Sequence, residues 1–104
     1  MIRHIVLLKA RPEVAEAQIQ AIFADLHSLD LPGIRAIHSG RSESPERIER
    51  GYLHGFTVDF ADWDALAAYQ AHPDHKRAGA ALVAASQGGT DGILVFDLPI
   101  DAQP

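Results

Sequence analysis

The sequence contains no cysteine. That absence excludes disulfides, thiolate nucleophiles, cysteine-ligated zinc and iron–sulfur clusters. Positive charge is also scarce, with 9 Lys+Arg against 14 Asp+Glu and a formal net charge of -5. Without a cationic excess to neutralise phosphates, neither a nucleic acid nor an anionic membrane is expected as a partner. Long apolar runs are missing as well. Ile5 to Leu8 is too short for a signal peptide or a membrane span, so a cytoplasmic protein is expected. The glycine-rich stretch Gly88-Gly89-Thr90-Asp91-Gly92 lacks the lysine of a phosphate loop and precedes a strand rather than a helix. No serine sits in a nucleophile elbow.

What remains is a chain of 104 residues, read as one domain over 1–104. Hydrophobic residues make up 47%, but 17 of them are alanine, so large apolar side chains are fewer than that fraction implies. A charged fraction of 22% is ordinary for a folded domain. Six histidines are the unusual feature.

Residues 2–9 read as a strand, short and β-branched. Pro12, Glu13 and Glu16 look like a helix start, with acidic groups near its positive end. Val14, Ile19, Ile22, Phe23, Leu26 and Leu29 keep a helical period to about residue 30, where Leu31-Pro32-Gly33 stops it. Residues 34–40 read as a strand with Ile34, Ala36 and His38 on one face and Arg35 and Ile37 on the other. Residues 41–50 read as a solvated loop, and 52–60 as a strand with Tyr52, His54, Phe56, Val58 and Phe60 on one face. Asp62 caps a helix from Trp63 to about Ala71. Pro73 opens another to about Ser86, closed by Gly88-Gly89. Residues 93–98 form a last strand, and 101–104 a polar tail.

The order β-α-β-β-α-α-β predicts an α+β, ferredoxin-like fold with a four-stranded antiparallel sheet. Helices cover one face of such a sheet, yet both faces are apolar here. Ile5, Leu7, Leu53, Leu94 and Phe96 would form a patch in water. Packing two such sheets together predicts a homodimer.

Period-2 counting puts His4 and His54 on the side of Val6, Phe56 and Val58, facing the helices. There an imidazole is either hydrogen-bonded core or the lining of a pocket. His27 and His38 read as surface side chains. The segment Tyr69-Gln70-Ala71-His72-Pro73-Asp74-His75 places a phenol at the end of one helix and an imidazole in the first turn of the next. Such a corner serves either packing or acid–base chemistry, since histidine titrates near neutrality and tyrosine can donate to an oxyanion. His72, Asp74, His75 and His54 match no standard zinc spacing, so no metal is expected. If Tyr69, His75 and His4 share a cavity, Val6, Leu8, Phe23, Leu26, Phe56, Val58, His54 and His72 are its expected lining.

The opening Met1-Ile2-Arg3-His4-Ile5-Val6-Leu7-Leu8-Lys9, the Gly51-Tyr52-Leu53-His54 strand start, the Tyr69…His75 corner and the closing Val95-Phe96-Asp97 together resemble the Dabb family of stress-responsive A/B barrel domains. The resemblance covers roughly residues 2–98. It implies a ferredoxin-like unit that dimerises into an α+β barrel. A plant member of the family closes a linear polyketide by aldol condensation without metal or organic cofactor. Its catalytic His and Tyr match His75 and Tyr69, and a further pocket His matches His4. Leu26 and Ala78 stand where that member has aromatic rings.

Two readings follow. One is a cofactor-independent lyase or cyclase acting on a polyketide-like, hydrophobic or aromatic small molecule, with Tyr69 and His75 as acid and base. The other is a non-catalytic, stress-associated dimer. A cofactor-free monooxygenase using the same cavity is a related enzymatic alternative. A cavity of about 300 Å³ or more reached by both side chains favours ligand chemistry, and a filled interior favours the non-catalytic dimer.

Overall fold

The computed structural model describes residues 1–101, so the expected tail lies outside the described residues beyond Asp101. Strand β1 (Ile2–Leu8) leads to helix α1 (Glu16–His27), then strands β2 (Ile34–Arg41) and β3 (His54–Phe60). Helices α2 (Trp63–Ala71) and α3 (Pro73–Ala85) follow, then a 3₁₀ turn (Gly89–Gly92) and strand β4 (Ile93–Pro99). All neighbouring strands are antiparallel in the order β2-β3-β1-β4. This is the ferredoxin-like arrangement expected from the element order. No helix among the described residues is long and apolar enough to cross a membrane.

The alternation in β1 is clean. Ile2, His4, Val6 and Leu8 are buried toward the helices, and Leu7 is exposed on the opposite face. Phe56, Val58 and Phe60 of β3 continue this layer, which packs on Ile19, Phe23 and Leu26 of α1, Leu66 of α2 and Leu82 of α3. On the outer face Leu7, Leu94, Phe96 and Leu98 stay exposed, Phe96 at 61%. There Arg3 grips Asp59 with Nε and Nη2, at 2.8 and 3.0 Å.

Two element starts and the facing of β2 differ from the sequence expectation, each for a local reason. Helix α1 starts at Glu16 rather than near Pro12. Pro12 instead sits in a turn closed by Val14 N–H on the Arg11 carbonyl, while Arg11 N–H is tied to the Ala85 carbonyl. Gln18 then caps the helix by accepting from Ala15 N–H at 2.7 Å. In β2 a bulge between Ile34 and Ala36 reverses the alternation. Ile37, not Ala36 or His38, therefore joins Ile34 against the core. Strand β3 begins at His54, and Tyr52 lies before it, donating its hydroxyl to the Asp91 carbonyl at 3.4 Å. Gly33 ends the α1–β2 connection at φ +89, where a Cβ would lie 2.5 Å from that of Ala65.

Phe60 is fully buried where β3 meets β1 and α2. Phe60→Ala is expected to cost about 3–5 kcal/mol, read from urea unfolding followed by circular dichroism.

Candidate functional site

A residue before proline is disfavoured in the helical region. His72 obeys this rule with φ -72 and ψ 136, so the chain leaves α2 there and restarts as α3 at Pro73. The His72 ring turns to the new helix, its Nδ1 accepting from Asp74 N–H at 3.1 Å as the N-cap. Tyr69 lies in the last turn before this corner and His75 in the first turn after it. Their ring centroids are 4.3 Å apart.

Tyr69 is 1% exposed, and its hydroxyl has no hydrogen-bond partner among the described residues. Leaving a buried hydroxyl unpaired costs about 1–3 kcal/mol. Burial also pushes the phenol up to about 12 from 10.0, so it is a proton donor at neutral pH. His75 is half-buried, with Nδ1 3.2 Å from the Gln70 carbonyl. A carbonyl can only accept, so Nδ1 carries the proton and Nε2 keeps the lone pair of the neutral ring. Burial holds His75 below its ordinary 6.5; the Gln70 carbonyl opposes that shift and nearby His4 adds to it.

His4 enters from the middle of β1, its ring edge-on to those of Tyr69 at 6.0 Å and Phe60 at 6.2 Å. Its Nδ1 donates to Asp97 Oδ1 at 2.6 Å. Asp97 is the cross-strand partner of His4 in the β1–β4 register. This carboxylate fixes the imidazole and leaves Nε2 for the cavity.

The cavity measures about 210 Å³ and is lined by His4, Val6, Leu26, Phe56, Tyr69 and His75 of the residues named from the sequence. Three other expected lining residues, Leu8, Phe23 and Val58, are packed in the core and do not line it. His72 is occupied as a cap. His54 lies four residues along the sheet, paired with Leu8 where His4 pairs with Val58, about 13 Å away at strand spacing. Its Nε2 donates to both carboxylate oxygens of Glu16, at 2.8 and 3.1 Å. Hydrogen bonds from Gln20 and then His54 hold Glu16 down at about 2. Sequence reasoning missed Asp97, although counting the antiparallel register from His4 would have found it. It also missed Gly79, Leu82 and Val83, which follow His75 at helical spacing. Among the described residues no three His, Asp or Glu side chains gather into a metal-binding group.

These environments carry pH signatures. In the unfolded chain His75 binds a proton more readily than in the fold. Its contribution to stability is therefore full above pH 6.5 and lost as pH falls through the folded value. For Tyr69 the order reverses, with stability present below pH 10 and lost as pH rises toward about 12. Imidazole NMR titration is expected to place His75 below 6.5. The alkaline absorbance difference between the protein and Tyr69→Phe is expected to have its midpoint near 12.

The family model for the Stress responsive A/B Barrel Domain, Dabb, matches residues 2–100. The stress-response A/B barrel domain-containing protein HS1 of Arabidopsis thaliana is 30% identical over 99 residues, which cover 92% of this chain and 86% of that protein. Olivetolic acid cyclase of Cannabis sativa is 28% identical over 76 residues, or 71% and 75% of the two chains. A dimeric ferredoxin-like protein of unknown function from Jannaschia sp. CCS1 superposes with a TM-score of 0.90 at 40% identity, over 95% of this chain and 98% of its own. A match that spans residues 2–100 places the chain in the Dabb family of stress responsive A/B barrel domains.

Proposed function

We propose that the protein is a homodimeric, cofactor-independent lyase or cyclase that forms or breaks a carbon–carbon bond beside a carbonyl in a hydrophobic or aromatic small molecule. The carrying observation is the buried, unpartnered Tyr69 hydroxyl against the neutral His75 ring. Two groups so placed can hold one substrate between them. His75 Nε2 removes a proton from the carbon next to the carbonyl. The C–H electron pair becomes the enolate double bond, and the carbonyl pair moves onto oxygen. Tyr69 donates a hydrogen bond to that oxygen in a water-poor site, where such bonds are strongest. The enolate carbon then attacks a second carbonyl, and the new alkoxide takes the proton back from the His75 imidazolium. His4, steadied by Asp97, offers a second polar contact for orienting the substrate. The similarity to olivetolic acid cyclase supports this reaction class.

A second reading, a dimer without catalysis, draws on cavity size. About 210 Å³ is below the roughly 300 Å³ at which small-molecule sites begin. A direct assay separates the two. An alkyl phenyl ketone in D₂O exchanges its α-hydrogens slowly, and NMR follows the exchange. The protein is expected to accelerate it beyond free imidazole at equal concentration, and His75→Ala and Tyr69→Phe to lose about 10²–10⁴ of that acceleration. No acceleration by the unaltered protein sinks the catalytic reading.

The dimer proposal is supported by the exposed Leu7, Leu94, Phe96 and Leu98 on the outer sheet face and by the dimeric Jannaschia protein. Sedimentation is expected to give a dimer at micromolar concentration. Leu7→Asp with Phe96→Asp is expected to give a monomer and to lower stability by more than about 3 kcal/mol, because charge cannot be buried unpaired.

A further inference from the structure

Cross-strand pairing arranges the outer face of the sheet in rows. His38, Thr57, Ile5 and Phe96 form one row, and Gly40, Gly55, Leu7 and Leu94 the next. On the other side of the first row lie Ala36, Asp59, Arg3 and Leu98. The face is therefore lopsided. Along β4 it carries a ridge of exposed Leu94, Phe96 and Leu98. Along β2 and β3 it is recessed, because Gly40 and Gly55 face each other without side chains. A Cβ on Gly40 would meet no atom within 4 Å. The result is a hollow of about 270 Å³ whose walls include Ile5, Leu7, Thr57 and the exposed His38.

In an isologous pair each copy offers the same patch to the other. A face raised along one edge and hollow along the other fits its own copy when ridge meets hollow. His38 then lies under leucine and phenylalanine side chains, away from water. Symmetry also limits which charged groups the partner's face can bring to it, since that face holds only the same ones. Arg3 and Asp59 are the other charged residues in these rows, and they are spent on each other. At the rim of the hollow Arg41 is turned to Glu16, and the Tyr52 hydroxyl to the Asp91 carbonyl. His54, on the far side of the sheet, also holds Glu16, and in the adjoining loop Glu49 accepts from the Ser42 hydroxyl. A neutral imidazole tolerates such a place. An imidazolium would lose its hydration there, and each carboxylate just named already holds another donor.

We propose that the β4 ridge of each copy seals His38 in the hollow of the other, so that the dimer separates when His38 takes up a proton. This inference rests on the sheet-to-sheet dimer reading. In the free chain the exposed ring can take a proton while in contact with water, and in the dimer it cannot. The separated chains therefore bind more protons than the dimer as pH falls, and acid favours separation. Each copy contributes one such histidine, and a proton released on association costs about tenfold in Kd per pH unit below the titration.

The test follows Kd by sedimentation of fluorescently labelled protein between about pH 8 and about pH 5, the range in which histidine changes charge. The unaltered protein, His38→Gln and His38→Leu are compared, with circular dichroism on each sample. Kd of the unaltered protein is expected to rise as pH falls, with a slope approaching about a hundredfold per pH unit once both histidines titrate, and with the helix signal kept. Kd of both variants is expected to change by less than about threefold over the range. A level Kd in the unaltered protein overturns the inference. So does an equal rise in the two variants, whether by dissociation or by unfolding. Variants that are monomeric at about pH 8 overturn it as well, since the neutral ring would then hold the dimer together rather than be tolerated in it. If the unaltered protein is itself a monomer at about pH 8, this inference and the dimer reading fall together. If it stays a dimer of constant Kd throughout, only this inference falls.

Discussion

The ring of Pro73 blocks helical geometry at the residue before it, and that residue is His72. The site geometry descends from this steric fact. Because the chain cannot continue α2 through His72, it turns, and a second helix starts with proline where its missing N–H costs nothing. The turn puts the last turn of α2 beside the first turn of α3. A phenol and an imidazole six residues apart in sequence thus come into ring contact, although on one continuous helix they would face different directions. His72 is spent in making the corner, so it is not available for chemistry.

Two other histidines show how neighbours decide the role of one residue type. His4 and His54 lie on the same face of adjacent central strands, and each donates to a carboxylate. His4 borders open space beside Tyr69. His54 is closed over by the start of α1, where Glu16 sits at the positive end of the helix and also meets Arg41. The His54 pair therefore joins α1 to the sheet, while the His4 pair orients a ring toward a cavity.

The element order, the antiparallel sheet and the apolar outer face were legible in the sequence because each rests on local periodicity. The meeting of Tyr69, His75 and His4 was legible too, from proline stereochemistry at residue 73 and the alternation of β1. Ile37 was misplaced because a bulge inserts one residue without any glycine or proline to mark it. The start of α1 was set too early because Pro12 suits the first position of a helix and the second of a turn equally. The contact of Arg11 with Ala85, far along the chain, decides between them. Leu8, Phe23 and Val58 were assigned to a cavity wall because sequence pattern gives the face of a residue but not its depth. Depth depends on where α3 crosses the sheet, and no short-range signal encodes that.

The bond between His4 and Asp97 also bears on how the chain finds its alignment. β4 is an edge strand rich in apolar residues on both faces, so hydrophobicity alone barely distinguishes one pairing from its neighbours. A slip of a single residue would turn Phe96 or Leu98 inward and carry Asp97 to the outer face, while His4 stayed in the interior with no acceptor. Only one alignment returns the charge-assisted bond. The pair that steadies a ring at the cavity thereby acts as a key for strand register, and this edge strand is fitted into place by a polar contact rather than by its oily side chains.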